Sequence, residues 1–304
     1  MTDKTEKIPV LVIVGPTASG KTALAVEAAE KLDGEVVSAD SMQIYRGMDI
    51  ATAKPSHEEM RGIPHHMISI IDPDRNFSVA DFQRMASNII NDIHDRGKTP
   101  VVAGGTGLYI DSLLQNVKFP DVPESPEVRR RLAQRAADGM QPLWDELNAI
   151  DPATAQKLHV NNRGRIIRAL EVYYASGVTM SEYVLRSRSE PSPYEPVMIG
   201  LNFRDRQKLY DRINRRVDAM LEAGLVDEAR RYFELNCGGT AAQAIGYKEL
   251  YPYLKGEIDL ESAVENLKMQ TRRYAKRQLT WFRRNENINW LYLDEKGSSV
   301  EVYI

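Results

Sequence analysis

Apolar residues follow two rhythms over the first 118 positions. Short Val/Ile-rich runs at 10–14, Glu35–Asp40, His66–Ile71 and Thr99–Ala103 read as buried strands. The segments between them repeat apolar positions every three or four residues, as helices do. The clearest helix opens at Ser78, a capping residue, and carries Val79, Phe82, Met85, Ile89, Ile90 and Ile93 on one face until Gly97. Strand and helix alternate four times, which predicts a parallel sheet with helices on both faces.

From Phe119 to Pro196 the rhythm changes. No strand pattern occurs there, and Pro120, Pro123, Pro126, Pro191, Pro193 and Pro196 bracket helical segments such as Glu127–Ala137 and Gly164–Ala175. Val197–Phe203 returns to a buried strand. Helices near 206–223, 226–235, 248–254 and 260–284 follow, then a short strand at Asn289–Leu293. The pattern divides the chain into a core at 1–118, a helical insertion domain at 119–196 and the second part of the core at 197–304. There is no internal repeat.

The first strand breaks into Gly15-Pro-Thr-Ala-Ser-Gly-Lys-Thr22 and opens a helix from Lys21 to about Leu32. This fits G-x-x-x-x-G-K-[ST] in full: the glycines let backbone N–H groups turn inward around a phosphate, Lys21 adds a positive charge and Thr22 offers a hydroxyl to Mg²⁺. The helix dipole points at the same spot. The expected fold class is therefore α/β, a P-loop-type parallel sheet flanked by helices, with a smaller all-helical insertion domain. The motif reports a diphosphate or triphosphate and leaves its owner open.

Asp40 ends the second strand, where ligands of open α/β sheets gather. It reads equally as a general base or as a strand-end acid that caps or binds Mg²⁺. A second glycine turn, Gly104-Gly-Thr-Gly-Leu-Tyr109, follows the fourth strand, and Thr106 in it has the common role of a helix cap. Arg212 and Arg216 lie one helical turn apart, by default a solvent-facing pair. His65 and His66 have no ligand-spaced partner and read as structural. Asp72 ends an apolar run as a Walker-B acid would, yet it precedes Pro73 and belongs to a turn, which weakens an ATP-hydrolysing reading.

Composition adds a compartment and a partner. The 304 residues, 42% hydrophobic, suffice for one large domain with an insertion. A single cysteine, Cys237, excludes an internal disulfide and fits a reducing compartment. Met1–Lys7 is short and polar, with no signal peptide or membrane span, so a cytoplasmic protein is expected, and a monomer, since no exposed apolar heptad stands out. The net charge of -3 would argue against a nucleic-acid partner were it evenly spread. Instead KMQTRRYAKRQLTWFRR, Lys268–Arg284, holds seven Lys or Arg and no acid, with Tyr274, Trp281 and Phe282 interleaved. On a helix this is the footprint for a phosphate backbone and exposed bases. Arg129, Arg130, Arg131 and Arg135 form a second basic cluster, and Arg163, Arg165 and Arg168 a third.

Gly15–Thr22, Asp40-Ser-Met-Gln-Ile-Tyr45, Gly104–Tyr109, Arg168-Ala-Leu-Glu171, Gly246-Tyr-Lys248 and Lys276–Arg283 together closely resemble the bacterial tRNA dimethylallyltransferases, also called tRNA isopentenyltransferases. The resemblance implies transfer of a dimethylallyl group from dimethylallyl diphosphate to the exocyclic N6 amine of the adenosine 3′-adjacent to the anticodon of tRNA. Diphosphate departs, no ATP is used and Mg²⁺ assists. It implies Asp40 as general base, Thr106 in contact with the adenosine, and Lys21 and Arg212 on the diphosphate with Arg216 as neighbour. Gly15, Pro16, Thr17, Ala18, Ser19, Gly20 and Thr22 cradle the donor. The tRNA contacts it implies are Asp40, Ser41, Met42 and Gln43, then Arg129, then Gly164, Arg165, Ile166, Ile167 and Arg168. Gln243, Ala244, Ile245, Gly246, Tyr247 and Lys248 follow, with Arg272, Lys276, Arg277, Gln278, Leu279, Thr280, Trp281, Phe282 and Arg283 on the long helix. Gly164 stands where many relatives carry Gln. A nucleotide kinase, or an isopentenyltransferase acting on free adenine nucleotides, would use the same loop but leave the basic helix without a role; a non-catalytic RNA-binding protein would leave the loop without one.

Overall fold

A computed structural model describes residues 7–117, 119, 125–137, 139–187, 191–235 and 239–295; Pro120, Pro123 and Cys237 lie outside them. The chain forms two compact units, Met1–Leu114 with Pro193–Ile304, and Gln115–Ser192. In chain order the first unit begins β1 (Ile8–Val14), α1 (Lys21–Lys31), β2 (Gly34–Ser38), α2 (His57–Met60), β3 (His65–His66), α3 (Val79–Asp95), β4 (Thr99–Gly104) and α4 (Gly107–Leu114). The second unit holds α5 (Pro126–Arg135), α6 (Gln141–Ile150), α7 (Pro152–Ala155), α8 (Arg163–Ser176) and α9 (Met180–Ser187). The first unit resumes with β5 (Tyr194–Asn202), α10 (Arg206–Glu222), α11 (Leu225–Glu234), α12 (Tyr247–Leu254), α13 (Leu260–Phe282) and β6 (Ile288–Tyr292).

The six strands form one parallel sheet in the order β3-β2-β4-β1-β5-β6. Val10, Val12 and Val14 of β1 point into one apolar cluster, Leu11 and Ile13 into another on the opposite face. Burial on both faces is why β1 reads as an unbroken apolar run. The chain passes from β1 to β2 over the seat later taken by β4, so a topological switch point falls between β1 and β4, with a crevice at their carboxyl ends.

β3 is shorter than the strand predicted over His66–Ile71. Met67 (φ 63°) and Ser69 (φ 53°) turn the backbone out of the extended region, and Ile71 keeps only an isolated bridge to Tyr45. Glu35, a buried acid inside β2, is explained by its partners: Arg96 reaches it at 2.5 and 2.9 Å and His66 Nε2 at 2.8 Å. The Arg96 hydrogen bonds hold the Glu35 carboxyl down at about 2 despite its burial. His66 thus belongs to an ion cluster. The α3 helix starts with a capping box in which Asp81 takes the usual Glu position.

The second unit packs its helices around Leu132, Leu143, Leu147, Ile166 and Leu170. Among the described residues no helix is long and apolar enough to cross a membrane.

Candidate active site

The phosphate loop leaves the carboxyl end of β1 and turns into α1 at Gly20, whose φ of 94° favours glycine and which caps the helix without a side-chain hydrogen bond. The first amides of α1 are therefore left for an anion. Lys21 Nζ folds back onto the Pro16 carbonyl at 2.7 Å. Burial, and then the Arg216 charge, pull Lys21 down to about 8, with Asp40 opposing. From α10, Arg212 Nε donates to the Ala18 carbonyl at 2.9 Å. Arg216, one turn on, is also driven down by burial, with Asp40 and Glu59 opposing. Arg212 and Arg216 therefore both reach toward the loop, Arg212 while still exposed and Arg216 half-buried, because α10 lays one edge across it.

Asp40 stands just past β2 and accepts from the Met42 amide at 2.9 Å. Thr106 does more than open α4: its Oγ1 accepts from the Ser41 amide at 3.1 Å, tying the second glycine turn to the Asp40 segment. Tyr274 lines the same cleft, where burial and then the Asp40 charge push its hydroxyl pKa up. Gln278 bridges both glycine turns, accepting from the Thr17 amide at 2.8 Å and donating to the Gly105 carbonyl at 3.0 Å. At Gly105 a Cβ would lie 2.1 Å from Gln278 Nε2, so a larger residue there would push that amide out of its place between the turns.

Two cavities meet over these groups. The larger, about 1270 Å³, holds Lys21, Thr22, Arg212 and Arg215; the smaller, about 220 Å³, is walled by Met42, Ile213, Val217 and Ile245. Thr17, Asp40, Arg216 and Tyr274 line both. Ser19 Oγ in the loop is buried without a hydrogen-bond partner. Among the described residues no three His, Cys, Asp or Glu gather as a metal-binding group. The Thr22 hydroxyl and Asp40 carboxylate are hard oxygen donors in one cleft, and they fit Mg²⁺ held partly through a ligand's phosphate oxygens.

Other residues singled out from sequence lie elsewhere. Gln278, Leu279 and Phe282 of α13 are buried, and Trp281 Nε1 donates to Asp111 at 2.8 Å. The expected row of exposed stacking aromatics is therefore corrected: Tyr274, Gln278 and Phe282 recur every four residues and face inward. That spacing was the overlooked signal. Arg273, Lys276, Arg277, Thr280 and Arg283 are exposed, whereas Arg272 is half-buried and donates to Asn214 at 2.7 Å. Ala244 and Tyr247 are buried too, unlike exposed Gln243 and Lys248, and Ala244 lines the smaller cavity with Ile245, Gly246 and Lys248. In the second unit Ile166 is core and Ile167 packs against it. Arg129 and Arg168 close on buried Glu171, while Gly164 and Arg165 are exposed. Asp72 pairs with Arg46 at the surface, far from a Walker-B role.

A parallel sheet with a phosphate loop at its switch point, cations around the loop and a carboxylate at the junction of two cavities defines a phosphate-loop α/β protein with an acid in the cleft of that loop. Residues 43–285 match the family model described as IPP transferase. The chain belongs to this family. It is 51% identical over 292 residues to a tRNA dimethylallyltransferase of Thermoanaerobacter sp. (strain X514), covering 95% of this chain and 93% of that one. The solved full-length tRNA isopentenylpyrophosphate transferase of Bacillus halodurans superposes with a TM-score of 0.69 at 49% identity, covering 94% of this chain and 89% of the other. A eukaryotic dimethylallyltransferase acting on tRNA matches with a TM-score of 0.78 at 32% identity, over 94% of this chain and 74% of its own.

Proposed function

We propose that this protein transfers the dimethylallyl group of dimethylallyl diphosphate to the N6 amine of the adenosine 3′-adjacent to a tRNA anticodon. The supporting observation is the position of Asp40 where the two cavities meet, with Lys21 and Arg216 as its charged neighbours. The larger cavity suits a donor whose diphosphate rests on Gly15–Thr22. An acceptor base, extruded from its stack, would approach from the smaller one.

The amine attacks C1 of the donor, the C1–O bond breaks, and the N6 proton passes to Asp40. An adenine amine is a poor nucleophile because its lone pair is delocalised, so a positioned carboxylate accelerates the attack. Negative charge gathers on the leaving diphosphate, where Lys21, Arg212, Arg216 and the loop amides stabilise it. Mg²⁺, held through Thr22 and the diphosphate oxygens, would add charge neutralisation there. Thr106 and Tyr274 orient the acceptor amine beside Asp40. For the polyanion, the exposed face of α13 (Arg273, Lys276, Arg277, Arg283) and the exposed Arg130 and Arg165 of the second unit supply phosphate contacts.

The test is to incubate the protein and Mg²⁺ with labelled dimethylallyl diphosphate plus bulk tRNA or AMP, and separately with ATP. Label should enter tRNA at one adenosine. Label in AMP alone, or tRNA-stimulated ATP hydrolysis without prenyl transfer, would overturn the reading.

A further inference from the structure

The wall shared by the two cavities is an irregular loop. Asp49, Ile50, Thr52 and Ala53 line the larger cavity, and Ala51, Thr52 and Ala53 the smaller. No helix or strand holds this segment, so its shape depends on the groups that take up its backbone hydrogen bonds. On the carbonyl side, Gln43 Nε2 donates to the Thr52 and Ala53 oxygens at 3.3 and 3.2 Å, and Ser38 Oγ in turn donates to Gln43 Oε1 at 3.0 Å. On the amide side, the consecutive N–H groups of Asp49, Ile50 and Ala51 converge on one carboxylate, Glu228, each at 2.9 Å. Tyr247 gives that carboxylate a further hydrogen bond at 2.8 Å.

Glu228 is 4% exposed and Tyr247 fully buried, its ring stacked on Tyr232 with centroids 4.7 Å apart. Four donors fill the roughly four acceptor sites of an ionised carboxylate. A buried acid is a poor way to gain stability alone, since a well-packed apolar side chain in its place is often neutral or better. What a fully satisfied buried acid does supply is a single geometry for everything bonded to it. Here that is the wall beside Asp40.

We propose that Glu228 is a positioning residue for the transfer: with Tyr247 it clamps Asp49–Ala53 so that the acceptor adenosine is held in line with Asp40 and the donor. The proposal rests on the transfer reading above. Neither residue lines either cavity, and the segment they clamp is separate in the chain from the phosphate loop at 15–22, so binding of inorganic diphosphate should not depend on them. A displacement of about 1 Å in a reacting group costs on the order of 10²-fold in rate, which makes a clamp at this distance visible in kinetics.

The variants are Glu228→Gln and the milder Tyr247→Phe, each assayed for prenyl transfer to tRNA, for inorganic diphosphate affinity and for amide hydrogen exchange at residues 49–51. In Glu228→Gln an NH₂ faces either the Ala51 amide and Tyr247 or the other two amides, so at least one backbone N–H loses its acceptor. Expected are a fall in kcat/KM for tRNA of roughly 10- to 100-fold, diphosphate affinity within about twofold of wild type, and faster exchange at 49–51. Tyr247→Phe should move the same quantities the same way by roughly 2- to 5-fold, the loss of one hydrogen bond. If Glu228→Gln does not fold, Tyr247→Phe decides. Wild-type kcat and KM in the variants overturns the clamp, as does a parallel loss of diphosphate binding and transfer, the mark of a merely structural role. Absence of transfer by the wild type overturns the function itself; normal transfer by wild type and variants alike overturns only this inference.

Discussion

In the helical unit, Arg129 and Arg168 close on the fully buried Glu171; in the cleft of the sheet unit, Arg212, Arg216 and Lys21 gather where Asp40 and Glu59 are the opposing charges. The first cluster is complete. Glu171 meets Arg168 at 2.7 Å and Arg129 at 3.0 Å and accepts from the Ser125 amide at 2.7 Å. Burial alone would raise its pKa, but these partners outweigh burial and bring it below the ordinary carboxylate range. In the second cluster the hydrogen-bond partner of Lys21 among the described residues is a backbone carbonyl, and burial lowers both Lys21 and Arg216. Cations made uncomfortable by their surroundings mark a place where an anion is to bind. The same residue type therefore does two jobs, and the neighbouring acid decides which.

The sharpest break of this comparison is at the acid that faces the cleft cations. Asp40→Asn keeps shape and removes basicity, so kcat for transfer to tRNA should fall by roughly 10² or more with tRNA affinity little changed. A single-turnover assay with saturating donor reads this directly, and a near-normal rate would return Asp40 to a capping role.

Next come paired substitutions, one in each cluster. Glu171→Gln leaves Arg129 and Arg168 without their counter-charge and should lower unfolding free energy by about 2–3 kcal/mol, toward the low end for a broken buried pair because both arginines are partly exposed. Diphosphate affinity should not change. Arg216→Met should do the reverse: stability holds or rises as repulsion with Lys21 is relieved, while diphosphate affinity drops roughly 10- to 100-fold, the worth of one charge-assisted hydrogen bond. Urea unfolding alongside diphosphate titration separates the two. Equal losses of stability in both variants would erase the distinction.

How far the two clusters were legible in sequence follows from how local they are. The phosphate loop was readable because its function lies in eight consecutive residues whose backbone angles the glycines dictate. The arginines were not sorted, because whether Arg129 meets Glu171 and whether Arg212 meets Ala18 depends on folding: the pairs lie 42 and 194 residues apart. Glu228 was invisible for the same reason, its amide partners lying 177 to 179 residues away. On α13 the error was of another kind. A count of cations carries no information about helix faces, whereas the four-residue recurrence through Tyr274, Gln278 and Phe282 places these residues opposite the basic ones.

A smaller effect follows from the two pKa displacements. The Lys21 pKa of about 8 lies below its ordinary 10.5, so the penalty on the protonated form is fully present below pH 8 and vanishes as pH rises past 10.5. A bound diphosphate supplies the missing counter-charge and restores the proton. Affinity for dimethylallyl diphosphate, whose last ionisation lies at about 6 as for other phosphate esters, should be level up to about 8 and then fall by at most tenfold per pH unit. In Lys21→Met the alkaline limb should disappear. Glu171 acts at the other end: its folded pKa is depressed, so its contribution stands above the ordinary carboxylate value and is lost as acid takes the pH down through the depressed one.

The smallest expected effect asks whether the exposed cations of α13 behave like the cleft or like the Glu171 cluster. Arg273 and Lys276 are exposed on the helix, whereas Arg168 already has its acid at 2.7 Å. If Arg273 and Lys276 neutralise tRNA phosphates, each contact removed should flatten the log–log salt dependence of binding by roughly 0.7 for single-stranded and 0.9 for duplex regions. Arg273→Glu with Lys276→Glu should then weaken tRNA binding strongly at low salt and less as salt screens the lost attraction. Dimethylallyl diphosphate affinity should stay as in wild type, since neither residue lines the donor cavity. Arg168→Gln serves as the control, because a guanidinium already matched to a carboxylate releases few counterions and should leave the slope nearly unchanged. A salt titration of tRNA affinity for the three proteins, with a dimethylallyl diphosphate titration alongside, measures all of this. An unchanged slope in the double variant, with a changed one in Arg168→Gln, would move the tRNA surface from α13 to the arginines of the helical unit.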